Sequence, residues 1–214
     1  ALFPVHLAGQ AADMESLHAL AQKYGLRVVE DASHALGATY RTKAGEEVKV
    51  GSCRHSDMTV FSFHPVKPIT TGEGGAVTTN DEKLYRRLLQ LRAHGIERNP
   101  QKWEEPSLGF NAKGEPNLWY YEMQELGWNY RISDILCALG SSQMRKLDLF
   151  VQRRNSVAKA YRERLAAAPW RDLLRPLEER SGGVNAHHLF VTLIDFARLG
   201  LDRGTLMHRL RETG

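Results

Sequence analysis

Apolar residues recur at helical spacing at Met14, Leu17, Leu20, Ala21 and Tyr24, with Asp13 ahead of them and Gly25 behind. That pattern predicts a helix capped by the aspartate and ended by the glycine. Leu26 to Val29 is a short apolar run closing in Glu30-Asp31, which suits a buried parallel strand. Met58 to Phe63 reads as a second strand, with Thr59, Val60 and Phe61 at its heart. A third follows Gly74-Gly75, over Ala76 to Thr79, with Asn80-Asp81 as turn and cap. Leu84, Leu88 and Leu91 then mark a helix from about Asp81 to His94. Strand and helix in alternation imply an α/β architecture around a mainly parallel sheet.

From Pro100 to Trp119 the pattern is lost among Pro100, Pro106, Gly109, Gly114 and Pro116. A loop of that length in a compact domain is usually functional or part of an interface. Ile132, Leu136, Leu139 and Leu147 predict a helix starting near Ser133, and Val151, Ala158, Tyr161 and Leu165 a long second one. His188 to Ile194 is apolar and β-prone, and Asp202 opens a last helix carrying Leu206 and Leu210. The change of pattern near Phe150 places a boundary between a large α/β domain, 1–149, and the start of a smaller C-terminal α/β domain, 150–214. Ala1 opens in mid-strand and the last residues close a helix, so a fragment cut at both ends is expected.

Composition narrows the class. With 214 residues, 42% hydrophobic and 25% charged, the chain can bury a sizeable core. No apolar run approaches the roughly 18 residues of a membrane span, and the N-terminus shows no basic segment followed by an apolar one. Cys53 and Cys137 form neither a disulfide framework nor a zinc-binding spacing, so no metal site and a reducing cytoplasm are expected. The net charge of +4 raises nucleic acid as a partner. Yet between Arg145 and Arg180 ten Lys/Arg mingle with five acids, as on the solvated face of a helix or a patch for an anionic substrate.

Lys67 is the leading chemical candidate. It follows an apolar strand in Phe61-Ser62-Phe63-His64-Pro65-Val66-Lys67-Pro68, bracketed by two prolines. Ordering a lysine there costs side-chain entropy. A desolvated lysine near positive charge can form a Schiff base with a carbonyl. Asp31 ends its strand where α/β folds bind ligands, and a carboxylate there can keep a pyridinium nitrogen protonated. His34, three residues on, can reach the same ring, and Ser62 can donate to a phosphate. Gly72-Glu73-Gly74-Gly75 allows close backbone approach. Taken singly, each has a commoner explanation: a surface lysine, a capping aspartate, a structural histidine, a strand serine. No GxGxxG, P-loop or HExxH occurs.

Together they are far more specific. Pro4-Val5-His6-Leu7-Ala8-Gly9-Gln10, Glu30-Asp31-Ala32-Ser33-His34-Ala35-Leu36-Gly37-Ala38 and the Lys67 string occur in order, with Gly72 to Gly75 and Gly127-Trp128-Asn129-Tyr130-Arg131 after them. This set resembles the DegT/DnrJ/EryC1/StrS family of sugar aminotransferases, across nearly the whole chain. Lys67 to Gly75 and Trp119-Tyr120-Tyr121-Glu122-Met123-Gln124 carry a narrower resemblance, to members that aminate C4 of UDP-linked 4-keto-6-deoxy-N-acetylhexosamines.

The resemblance implies the aspartate-aminotransferase-like fold of pyridoxal 5'-phosphate enzymes (fold type I). It makes Lys67 the residue that bonds the cofactor and shuttles a proton. Asp31 pairs with the pyridine nitrogen, His34 lies against the ring or its 3'-oxygen, and Ser62 binds the phosphate. Asn129 reaches the neighbouring subunit's cofactor across a homodimer interface. His187 and His188 fall where the family often contacts substrate, although a His-His pair before a strand also fits a structural role. The family's phosphate-cradling turn and ring-stacking aromatic would lie upstream of Ala1. Relatives that remove a hydroxyl carry histidine at the lysine's place, so Lys67 favours amine transfer, with a nucleotide sugar as substrate and glutamate as the expected donor. A different keto-sugar, or a non-catalytic relative that binds the cofactor, are the alternatives. Neither nucleic acid nor membrane is expected as a partner.

Overall fold

The computed structural model describes residues 1–180 and 182–213; Gly214, the expected limit of the second domain, lies outside them. Helix α1 (Met14–Tyr24) leads into strand β1 (Val29–Asp31), the hairpin β2 (Thr39–Arg41) and β3 (Glu47–Lys49), and strands β4 (Met58–Ser62) and β5 (Gly75–Thr78). Helix α2 (Glu82–Leu91) and the short strands β6 (Ile96–Glu97) and β7 (Glu122–Met123) follow. Then come helices α3 (Asp134–Met144) and α4 (Leu147–Ala167), the pair β8 (Leu174–Pro176) and β9 (Thr192–Ile194), and helices α5 (Phe196–Leu199) and α6 (Arg203–Glu212).

The capping signals hold. The Asp13 carboxylate accepts from the Ser16 N–H, and Gly25 closes α1 in the left-handed conformation. Asp81, Ser133 and Asp202 cap α2, α3 and α6 in the same way. The first strand is shorter and later than its apolar run: Val28 bridges Leu2, the ladder covers Val29 to Asp31, and Leu26 is exposed.

The central sheet has the order β1-β4-β5. β1 pairs parallel with β4, placing Asp31 opposite Val60, and residues 2–5 add parallel bridges to the outer edge of β1. β5 returns antiparallel along β4. The strands come so close there that a Cβ on Gly75 would stand 2.6 Å from the Phe61 carbonyl oxygen, which explains a glycine at that position. The three strands are thus joined by one parallel and one antiparallel pair, with the isolated parallel bridges of residues 2–5 added at the outer edge.

Three buried clusters fix the strands. Met14, Ala21 and Val28 seat α1 on the sheet. Ala32, Ala35, Ala38 and Phe61 fill the space behind the loop after β1. Ile69 packs on Leu147 and Val151, so α4 clamps the segment that follows Lys67. Burying a side chain of that size stabilises the fold by about 1.5–3 kcal/mol. The position near Phe150 where the sequence pattern changes falls inside α4, one helix serving both halves. Among the described residues no helix is long and apolar enough to cross a membrane.

Candidate active site

The C-terminal ends of two parallel strands, β1 and β4, open side by side at one edge of the sheet. Asp31 is the last residue of β1, and Ser62, the last of β4, starts the segment carrying Lys67. That segment is held by its backbone. The Phe63 N–H donates to the Gly74 carbonyl at 2.8 Å, Thr71 N–H to the Phe63 carbonyl at 3.0 Å and Lys67 N–H to the His64 carbonyl at 2.9 Å. Pro68 and Ile69 are buried beside it, so the lysine stands on a fixed base.

Asp31 is half-buried and accepts the Ser33 N–H at 3.0 Å. Burial pushes its carboxyl up, but the Ser33 hydrogen bonds and the charges of His34 and Lys67 outweigh this, so it sits below the usual carboxylate range. His34 accepts the Ala8 N–H at Nδ1, 3.3 Å away, which places its ring proton on Nε2. Burial, then the Lys67 charge, lowers its basicity, with Asp31 opposing. The His188 ring lies 4.4 Å from that of His34. Burial first, then His34, Lys67 and Arg154, push His188 down to about 4. Its Nδ1 is buried without a hydrogen-bond partner among the described residues. A lysine on a fixed base, a carboxylate below its usual range and two imidazoles of lowered basicity are thus gathered at these strand ends. That set suits a flat, electron-poor ring with a basic nitrogen at one end and a carbonyl at the other.

Of the residues singled out from the sequence, Asp31, His34, Lys67 and His188 act on one another here, with Ser62 at the strand end beside them. His187 is turned away. Its Nε2 meets the Glu179 carboxylate at 3.2 Å, and its backbone is left-handed with φ of +46°. That turn fits against Gly9, where a Cβ would come within 2.6 Å of the His187 nitrogen. Asn129 is exposed and bridges Ala93, and among the described residues no hydrogen bond ties it to the opening.

Two contributors escaped the sequence reading. The Ala8 N–H is a backbone group with no sequence signal. Arg154, hidden in the basic stretch of α4, donates to the His187 carbonyl at 3.1 Å. It also lines a groove of about 520 Å³ between Pro68, Phe150, Tyr161, His188 and Phe190. Its place on the inner face of a long helix was the only available clue.

Residues 1–214 match the DegT/DnrJ/EryC1/StrS aminotransferase family, and the chain belongs to that family. An uncharacterised protein of Methanocaldococcus jannaschii is 36% identical over 212 residues, 99% of this chain and 50% of that protein. A protein of Campylobacter jejuni serotype O:2 named UDP-4-amino-4,6-dideoxy-N-acetyl-beta-L-altrosamine transaminase is 36% identical over 194 residues, 91% of this chain and 44% of its own length. Among solved structures, Helicobacter pylori PseC, an aminotransferase involved in pseudoaminic acid biosynthesis, superposes with a TM-score of 0.77 at 31% identity, covering 97% of this chain and 49% of that one. The chain thus spans about half the length of the curated relatives it matches.

Proposed function

We propose that this chain is the part of a pyridoxal-phosphate-dependent nucleotide-sugar aminotransferase that holds the cofactor lysine. It transfers an amino group from an amino acid, with glutamate the expected donor, to C4 of a UDP-linked 4-keto-6-deoxy-N-acetylhexosamine. The observation that carries this reading is Lys67 on its fixed base, facing an Asp31 carboxylate held ionised at the end of the neighbouring parallel strand. The narrower substrate rests on the likeness to PseC and the altrosamine transaminases.

The residues present fit the cofactor. Asp31 would bond its pyridine nitrogen, the Nε2–H of His34 and the unpartnered Nδ1 of His188 would face the ring and the substrate, and Ser62 would hold the phosphate. When bound, pyridoxal phosphate supplies an electron sink for the carbon that loses its proton. Lys67 would hold the cofactor, and its Nζ would carry the proton that leaves the donor carbon. The lowered Asp31 carboxyl favours its ionised form, and His188, held at about 4, is uncharged at neutral pH. The working assembly is a homodimer in which Asn129 completes the partner's phosphate site. The exposure of its chain neighbours Leu126, Trp128 and Tyr130, and of Leu118 and Trp119 earlier in the segment, supports that reading.

A second reading, a family member that aminates a TDP-linked keto-sugar, is favoured by the likeness to DesI, solved with its TDP-sugar product, at a TM-score of 0.75 and 29% identity.

The test is an absorbance spectrum of the protein with added pyridoxal phosphate, before and after borohydride, beside Lys67→Ala. A visible band that borohydride fixes to the parent and that Lys67→Ala lacks is the expected result. A full-length protein that forms no such adduct overturns the proposal.

A further inference from the structure

On the side of β1 opposite Asp31 lies a buried acid that the proposed chemistry does not use. Successive strand residues face opposite sides, and Glu30, only 2% exposed, points into the core. Its carboxylate accepts from His6 Nε2 at 2.7 Å, from the Thr59 hydroxyl at 2.9 Å and from the Ser56 hydroxyl. Burial raises the Glu30 carboxyl, yet these donors outweigh it and keep the group ionised. An isolated carboxylate there would be costly, and replacing such a group with an apolar one is often no loss to stability. A role in positioning explains its presence better than stability does.

His6 is wholly buried, and its Nδ1 accepts the Ala12 N–H at 3.0 Å. That bond puts the ring proton on Nε2, aimed at Glu30. One imidazole thus closes residues 6–12 on themselves and ties the loop to β1. Within that loop the Ala8 N–H sets the tautomer of His34. The His6 N–H donates to the Asp31 carbonyl at 3.0 Å. The groups on Asp31 and His34 that would meet the cofactor therefore share one anchor.

We propose that Glu30 and His6 are positioning residues which jointly hold Asp31 and His34 in working orientation. This rests on the aminotransferase reading above, but half of its test is independent of it.

The first measurement is the imidazole ¹⁵N spectrum of the protein without cofactor, in the parent, Glu30→Gln, Thr59→Val and Thr59→Ser. The parent should show His6 and His34 each protonated on Nε2. Glu30→Gln should mix the His34 tautomers although it does not touch that ring. Thr59→Val should do so less, and Thr59→Ser should restore the parent pattern. The second is cofactor titration. Glu30→Gln should weaken binding roughly tenfold, the scale on which outer-shell partners act at liganded sites, and displace the pH midpoint of the coloured Lys67 adduct while the far-UV spectrum is unchanged.

If Glu30→Gln and Thr59→Val leave the His34 signals as in the parent, the positioning role is wrong. It is equally wrong if Thr59→Ser fails to restore them. A full-length parent that forms no adduct sinks the aminotransferase reading instead, and the imidazole spectra still decide the role of Glu30.

Discussion

The strand-end opening and the segment between Ile96 and Arg131 are built on opposite terms. Around Asp31 and Lys67, backbone bonds and buried clusters leave little freedom, and the polar groups are held from behind by Glu30, His6 and Ile69. The later segment has two-residue strands and short turns. Its aromatics Trp119, Tyr121, Trp128 and Tyr130 are exposed, although Trp103 is buried against Phe110 and Tyr120. Groups that must hold a reacting atom gain from preorganisation. A surface proposed to complete another subunit's site would gain from accessible apolar area instead. The two regions are therefore expected to fail differently when mutated.

The largest test of that difference is complementation. Lys67→Ala should cut amine transfer by about 10³-fold or more, and Asn129→Ala should also be impaired. Mixing the two inactive proteins under conditions that exchange subunits should recover activity, because one hybrid site then holds both residues. No recovery would place Asn129 in its own chain's business. Next, Asp31→Asn should lower the rate by about 10²-fold, as loss of an electrostatic partner does, with the fold intact by circular dichroism.

Ile69→Ala should cost about 2–5 kcal/mol of stability in urea unfolding, since it empties a buried site under the lysine segment. A smaller effect concerns pH. Below pH 6.5 the unfolded chain takes up a proton at His188 that the folded chain accepts only near pH 4. Stability therefore falls as pH drops through that window and is indifferent to His188 above it. His188→Gln should flatten the urea midpoint against pH in that range. Some slope should persist, because burial also lowers His34 and His187. The smallest effect is expected at Trp128→Ser, within about 0.5 kcal/mol in the isolated chain. A large loss there would show that the exposed segment is structural in its own right.

Much of this was readable in advance. Asp13, Asp81, Ser133 and Asp202 announced their helices because a cap is a local signal. Strands β4 and β5 and the place of Lys67 between them followed from local apolar runs. The β2–β3 hairpin was not found, since Thr39 to Lys49 lacks clear alternation and turns on Thr42 and Gly45. The β6–β7 and β8–β9 pairs depend on partners far along the chain, which no window contains. In the site, Asp31, His34 and Lys67 were legible as residue types at strand ends. That His188 joins them while His187 turns to Glu179 depends on one left-handed residue, and two adjacent histidines cannot reveal it. Glu30 looked like the tail of a strand, and only its burial identifies it as an anchor.

The seat of His187 on Gly9 also says something about how the molecule is made. The lysine, the carboxylate and their anchors lie within the first 75 residues, whereas His188 is held by hydrogen bonds from residues 186 and 189 to carbonyls of Gly9 and Ala8. Closing so long a loop is slow relative to local contacts. On an emerging chain the front of the site can form while its last wall is still unsynthesised, so the tilted packing of His188 on His34 should be among the latest events of folding, and a ribosome stalled before residue 186 should carry a site open on that side.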